Sequence, residues 1–183
     1  RKSNNKIVSG TTRVVISILR GTPLMLQLLA ITYGPYYISK SLGISGINVA
    51  RNKLIPVVIA FAINYAAYFA EIYRGGIESM PAGQYEAAKV LGYSKSETFI
   101  FIILPQVFKR ILPSITNEIV TLVKDTSLAF TVSYVEMFTI GKQIANSQTS
   151  FTPFVVAGVF YFVFNYVVDL IMAKIELSLQ YYS

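Results

Sequence analysis

Two stretches of the chain are apolar for long enough to cross a hydrocarbon layer, and that limits the fold more than any other feature. Leu54 to Tyr73 holds only Asn64 and Glu71 as strongly polar residues, and Pro153 to Ile175 holds only Asn165, Asp169 and Lys174. An α-helix rises about 1.5 Å per residue, so roughly 20 residues cover a ~30 Å core. Both runs meet that length. The competing reading is a pair of buried helices in a large soluble protein. Charged residues make up only 14% of the chain, whereas soluble domains carry about 25%. The composition therefore favours the membrane.

Cysteine and histidine are both absent. Disulfides and thiolate metal sites are thereby excluded, as are the commonest metal ligand and acid–base side chain. The formal charge of +7 would suit nucleic acid in a soluble protein. In a membrane protein, excess Lys and Arg gathers on cytoplasmic loops, so no nucleic-acid partner is expected. The chain opens on Arg1 without a signal-peptide pattern, which reads as a piece of a longer product cut at its front.

Beyond the polar, basic opening from Arg1 to Lys6, residues 7–19 mix apolar positions with Thr11, Thr12, Arg13 and Ser17. That mixture suits a helix lying along the interface. Arg20-Gly21-Thr22-Pro23 punctuates it, with Thr22 expected as an N-cap and Pro23 at the first helical position. A shorter transmembrane segment is expected at 22–38, kinked or ended by Gly34-Pro35. Ser39 to Lys53 reads as a polar connector, and 54–73 is the next span. Ala62, Ala66 and Ala70 recur there every four residues, which suits either close helix approach or ordinary helical filler.

Arg74 to Leu104 is too polar for lipid. Pro81 is expected to open a short helix that Gly92 closes. Ser94-Lys95-Ser96-Glu97 then has capping-box spacing for a second helix start, and Leu104-Pro105 is expected to break that helix. Further spans are expected at 106–132 and 153–175, separated by a polar connector from Thr139 to Thr152. The fold class is an all-α membrane protein with about four transmembrane helices plus a helical loop outside the membrane. Eleven basic residues fall on Arg1–Arg20, Arg74–Arg110 and Lys174–Ser183, against four on the alternate side. The excess places the opening, the 80–105 loop and the C-terminus in the cytoplasm.

The loop reads Glu86-Ala87-Ala88-Lys89-Val90-Leu91-Gly92, and Ile102-Ile103-Leu104-Pro105 follows ten residues later. This resembles the EAA loop of permease subunits of ABC importers. Arg20-Gly21-Thr22-Pro23-Leu24, Ala70-Glu71-Ile72-Tyr73-Arg74-Gly75-Gly76-Ile77 and Lys124-Asp125-Thr126-Ser127-Leu128 are similar to segments of the polar amino-acid branch. A lone Glu-Ala-Ala carries no weight; several motifs in order between the right spans carry a good deal. The resemblance covers roughly residues 12 to 175. It implies a single transmembrane domain over 1–183 in a bacterial cytoplasmic membrane, multi-pass, with five spans in the full family domain and the first lacking here. It also implies an ABC ATPase subunit dimer that binds ATP and Mg, a second permease subunit, the same or related, and an extracytoplasmic amino-acid-binding protein or fused binding domain. The chain itself has no Gly-x-x-x-x-Gly-Lys-Ser/Thr phosphate loop, so no cofactor is expected on it and ATP hydrolysis falls to a partner.

A channel driven by a separate motor needs a stiff lever at its cytoplasmic face. The ATPase-coupling residues expected are Tyr85, Glu86, Ala87, Ala88, Leu91 and Gly92. Tyr85, Ala88 and Leu91 or Gly92 fall at helical spacing as one apolar stripe, with Glu86 and Lys89 on a neighbouring face. The plainer alternative is a solvated amphipathic loop helix.

After the loop, Asn117, Thr121 and Lys124 fall at i, i+4 and i+7, and Glu118 and Asp125 at i and i+7. They form a polar stripe on an apolar helix. Charge in lipid is costly, so the stripe should face protein or water. Asn117, Glu118, Thr121, Lys124, Asp125 and Ser127 are the expected substrate path. Lys124 and Asp125 could instead sit at the outer interface, snorkelling or paired. An ion-coupled secondary transporter or channel is the alternative function, since buried charges would suit it. Such proteins need no exposed capped loop, and many carry inverted repeats, which are not evident here.

Overall fold

A computed structural model describes residues 5–44 and 52–179. The basic opening before Asn5, residues 45–51 of the connector and the tail past 179 lie outside the described residues. Every regular element described is helical: α1 Lys6–Gly21, α2 Leu24–Ser41, α3 Leu54–Glu78, α4 Ala82–Val90, a short α5 Lys95–Glu97, α6 Leu104–Asp125, α7 Met137–Gln148 and α8 Thr152–Leu179. A π-helical segment, Thr98–Ile103, joins α5 to α6, and a 3₁₀ segment, Thr126–Val132, continues α6. Three helical runs are long and apolar enough to cross a membrane: Leu54–Glu78, Lys95–Val132 and Thr152–Leu179. Counting α1 and α2 as one bent span, at 106°, makes four.

The chain divides into two compact units, one of residues 1–68 and 122–164, the other of 69–121 and 165–183. In the first, Asn5 caps α1 by accepting from the Ile7 N–H at 3.0 Å. Thr22 does not cap α2. Its hydroxyl turns back to the Ile18 carbonyl at 2.9 Å, and the N-cap position belongs to Pro23. A glutamine supplies the missing fastening. Buried Gln27 donates its Nε2 to the Leu19 carbonyl (2.7 Å) and the Thr22 hydroxyl (2.9 Å), and its Oε1 accepts from buried Asn64 at 3.1 Å. One amide therefore satisfies carbonyl and hydroxyl groups at the end of α1 and ties the bend to α3.

Pro35 lies inside α2, which continues to Ser41 rather than ending at Gly34-Pro35. On the N-terminal part of α3, Val57, Ala60, Asn64 and Ala67 are buried, while Ala62 and Ala66 are exposed. The expected alanine stripe therefore faces outward. The 3₁₀ segment packs on α2, where the Tyr33 hydroxyl reaches the Val132 carbonyl at 3.4 Å. The stretch expected as a polar connector contains α7. Glu136 caps it, accepting from the N–H groups of Phe138 (2.7 Å) and Thr139 (2.6 Å). Buried Gly141 and Ala145 let α7 lie close to α8, with Ala157 Cβ 3.8 Å from where a Gly141 Cβ would stand. Glu is not among the preferred N-caps, and glycine and alanine leave little apolar periodicity to read.

In the second unit, Met80, Ile103, Val107 and Ile111 form the core, with Ile72, Ile77, Ile102 and Ile115 packed against it. Pro105 does not break the helix. The Leu104 N–H bonds back to the Phe99 carbonyl, the wider i→i+5 turn of a π-helix, and the chain passes into α6 with Pro105 in its first turn, where a missing N–H is tolerated. Pro113 is likewise carried inside α6.

At Gly76, α3 lies directly against α6. A Cβ there would stand 2.2 Å from Ile111 Cγ2 and 3.1 Å from Val107 Cγ1, both on β-branched residues of the core. Gly76→Ala is expected to destabilise the protein by ~1–3 kcal/mol through overpacking, read as a lowered thermal midpoint of the solubilised protein. Ile111→Leu, which removes the opposing Cγ2 methyl, should restore most of the loss in the double variant. A Gly76→Ala midpoint equal to that of the unsubstituted protein would refute the packing.

Candidate functional site

The loop between α3 and α6 is closed at one turn by its own backbone and at the next by side chains. At the end of α4 the Tyr93 N–H bonds to the Ala88 carbonyl (3.0 Å) and the Gly92 N–H to the Lys89 carbonyl (3.1 Å). This is a Schellman pair, and it places Gly92 at φ +83°, in the region where a side chain is strained. Two residues later the expected capping box is present. Ser94 Oγ accepts from the Glu97 N–H at 3.3 Å, and the Glu97 carboxylate accepts from the Ser94 N–H at 2.8 Å. Hydrogen bonding to the Glu97 carboxyl from the Ser94 side chain, and then from the Ser94 N–H, holds it below its ordinary range.

The α4 helix shows the site differently from the sequence expectation. Ala88 is only 1% exposed and faces inward, in the part of the loop where α4 packs on the π-helical segment. The apolar stripe expected to meet a partner is thus divided, with Ala88 sealing the loop from within. Tyr85, Glu86, Ala87 and Leu91 face outward, and so does Val90, which is 87% exposed. Val90 was missed because helical spacing was counted from Ala88. Beside α4, Tyr85, Lys89, Tyr93, Lys95, Thr98 and Phe99 line a cavity of about 600 Å³. A second cleft, of about 700 Å³, includes Gln84, Phe101, Gln106, Lys109 and Arg110. Arg110 donates to the Ser79 carbonyl at 2.6 Å, and Gln106 reaches Gln84 at 3.4 Å, so α6 grips the start of the loop. Arg74 pairs with both Glu71 and Glu78 on the helix entering the loop.

On α6, Asn117 and Thr121 are exposed, Glu118 is half-buried, and the Thr121 hydroxyl bonds back to the Asn117 carbonyl at 2.8 Å. These three belong to the second unit; Lys124, Asp125 and Ser127 belong to the first. Lys124 is exposed, and Ser127 Oγ turns back to the Lys124 carbonyl at 2.8 Å. Asp125 is half-buried and accepts from the Tyr65 hydroxyl at 2.8 Å. Tyr65 escaped notice in the sequence because it reads as one more aromatic in an apolar span. No group of three His, Cys, Asp or Glu is placed to hold a metal ion among the described residues.

An all-helical membrane protein with a doubly capped loop between two long apolar helices is built for transport. Residues 2–181 match the family described as the binding-protein-dependent transport system inner membrane component, and the chain belongs to that family. The nopaline transport system permease protein NocM of Agrobacterium fabrum is 36% identical over 178 residues, covering 96% of this chain and 74% of the relative. The histidine/lysine/arginine/ornithine transport system permease protein HisM of Escherichia coli is 34% identical over 178 residues, covering 96% and 75%. A solved amino acid ABC transporter with histidines superposes with a TM-score of 0.81 at 29% identity, covering 96% of this chain and 78% of that one. The chain is therefore the membrane-embedded permease component of an ABC importer, with ATP hydrolysis assigned to a separate subunit. Nothing in these likenesses favours an ion-coupled carrier.

The capping box yields a pH dependence. The Glu97 carboxyl is held below its usual value in the folded loop, so its bonds are present above the unfolded-state value and lost as pH falls through the folded one. Hydrogen exchange at the Ser94 amide should therefore accelerate, relative to its intrinsic rate, only below about pH 4. Ser94→Ala, which removes the other half of the box, should loosen the Glu97 amide at neutral pH by about 1 kcal/mol of protection. Unchanged protection in both measurements would refute the box.

Proposed function

We propose that this permease carries polar amino acids, those with cationic side chains foremost. Relatives named for nopaline and for histidine, lysine, arginine and ornithine support that substrate class. The loop over 80–105 faces the cytoplasm with the C-terminus and couples transport to a dimer of ABC ATPase subunits that bind ATP and Mg. A second permease and an extracytoplasmic amino-acid-binding protein or fused binding domain complete the assembly, and α1, over 7–19, lies along the membrane interface. The observation supporting this reading is the exposed helix α4, closed at its C-terminal end by a Schellman turn at Gly92 and followed directly by a capping box at Ser94 that starts the next helix. A lever transmits force only if its ends do not fray; backbone bonds tie the C-terminal end, and Arg110 holds the Ser79 carbonyl just ahead of the N-terminal one.

Tyr85, Glu86, Ala87 and Leu91, together with Val90, form the coupling surface; Ala88 and Gly92 keep it in shape. Gly92→Ala forces a side chain into left-handed backbone, at ~1–2 kcal/mol, and Glu86→Lys reverses the exposed charge. Each is expected to abolish uptake and substrate-stimulated ATP hydrolysis in proteoliposomes while leaving the permease inserted at normal levels. In intact cells an impermeant thiol reagent should label Ser147→Cys and spare Ser94→Cys. Normal uptake by both loop variants would reduce the loop to a connector, and the opposite labelling would reverse the orientation.

The substrate path follows α6, whose polar face carries Asn117, Glu118 and Thr121 and continues through Lys124, Asp125 and Ser127. Exposed polar atoms on a membrane helix need water, protein or substrate as partners, and a zwitterion supplies both signs of charge. Glu118→Gln should raise the KM for a cationic amino acid about tenfold or more, the worth of one charge-assisted hydrogen bond, with basal ATP hydrolysis retained. Thr121→Val should alter substrate preference in the same assay. Unchanged uptake by both would move the path to another helix.

A further inference from the structure

We propose that α1 is a recognition surface for anionic phospholipid headgroups, so that the permease prefers an acidic leaflet along this helix. The inference rests on the reading that α1 lies along the interface, and it adds the chemistry of what lies against it.

The helix is two-sided. Ile7, Val14 and Ile18 fall at i, i+7 and i+11, and each is more than half exposed. Ile16 faces the opposite way and is buried. Lys6, Arg13 and Arg20 fall at i, i+7 and i+14, a single basic row on the polar side. No acidic residue occurs anywhere in α1, so the row has no carboxylate on its own helix. Small or short residues, Gly10 and Ser17, separate the row from the apolar side. An apolar face with cations on the polar face is the pattern of helices that lie in the headgroup region and favour anionic lipids.

The angle of the helix is built in. Gln27 fastens the end of α1 through the Leu19 carbonyl and joins it to Asn64 of α3, holding α1 at 106° to α2. Arg20 lies over the Tyr68 ring at 5.2 Å, which pins the last cation of the row at the bend. When α2 crosses the bilayer, α1 is held near its plane. Lys6 and Arg13, both exposed, then extend their long stems toward the phosphates. A second copy of the chain is a poorer occupant, because two acid-free basic rows would repel each other.

The test uses the complete transporter with its partner subunits in nanodiscs that mix phosphatidylcholine and phosphatidylglycerol. The chain has no cysteine, so Val14→Cys gives one labelling site for an environment-sensitive fluorophore. Brominated phosphatidylglycerol is expected to quench it in preference to brominated phosphatidylcholine. Lys6→Gln with Arg13→Gln should lower that preference roughly fivefold per cation, and raising salt should erode it in the otherwise unsubstituted protein. Equal quenching by the two lipids would overturn the proposal and leave the interfacial placement standing. Quenching by neither would overturn both, showing that protein covers the face.

Discussion

Hydrocarbon offers no hydrogen-bond partner to a peptide group, and the long apolar helices of this fold answer to that fact. The backbone must satisfy itself, so the chain stays helical even where its residues oppose it. Pro35 and Pro113 are carried inside α2 and α6. In water each of these prolines would be a natural place to stop. The same demand explains the side chains. Gln27, Asn64, Tyr65, Asp125 and Glu136 are polar groups within or beside apolar helices, and each has a named partner. Their hydrogen bonds fix which helix lies against which, because apolar surface alone does not distinguish a helix from lipid.

The loop between α3 and α6 depends on its turns instead. A helix of nine residues is too short to persist alone in water, so its stiffness has to come from its ends and its packing. The Schellman turn, the capping box, inward-facing Ala88 and the Arg110–Ser79 bond supply these. The outcome is a short helix that leaves Tyr85, Glu86, Val90 and Leu91 exposed while its C-terminal turn is held. The close approach at Gly76 extends that stiffness into α3, since the core formed by Met80, Ile103, Val107 and Ile111 sits directly behind the loop.

Most of the element order was legible beforehand, and the reasons are particular. Runs such as Leu54–Tyr73 announce themselves by length and polarity, and caps such as Ser94/Glu97 and Gly92 by local chemistry that needs no tertiary partner. What was misread was context-dependent. Thr22 had the composition of an N-cap and instead bonds backward. Leu104-Pro105 had the composition of a break and instead starts α6. The helix α7 reads as a connector because its contact residues, Gly141 and Ala145, are small and its cap is a glutamate.

The sequence by itself determined that this chain is a helical membrane protein, where the turns at Gly92 and Ser94 fall, and, through ordered motifs, to which family it belongs. Those properties depend on neighbours within about a helical turn or on the length of an apolar run, and both are local. Only the tertiary structure decided which side of each helix is used: that Ala88 seals the loop while Val90 faces out, that Asn64 and Ala67 are buried while Ala62 and Ala66 are not, and that Asp125 is held by Tyr65. Helical periodicity defines a face, but in a membrane every face can be apolar. The choice between protein and lipid is then made by close packing and by single hydrogen bonds between residues far apart in the chain.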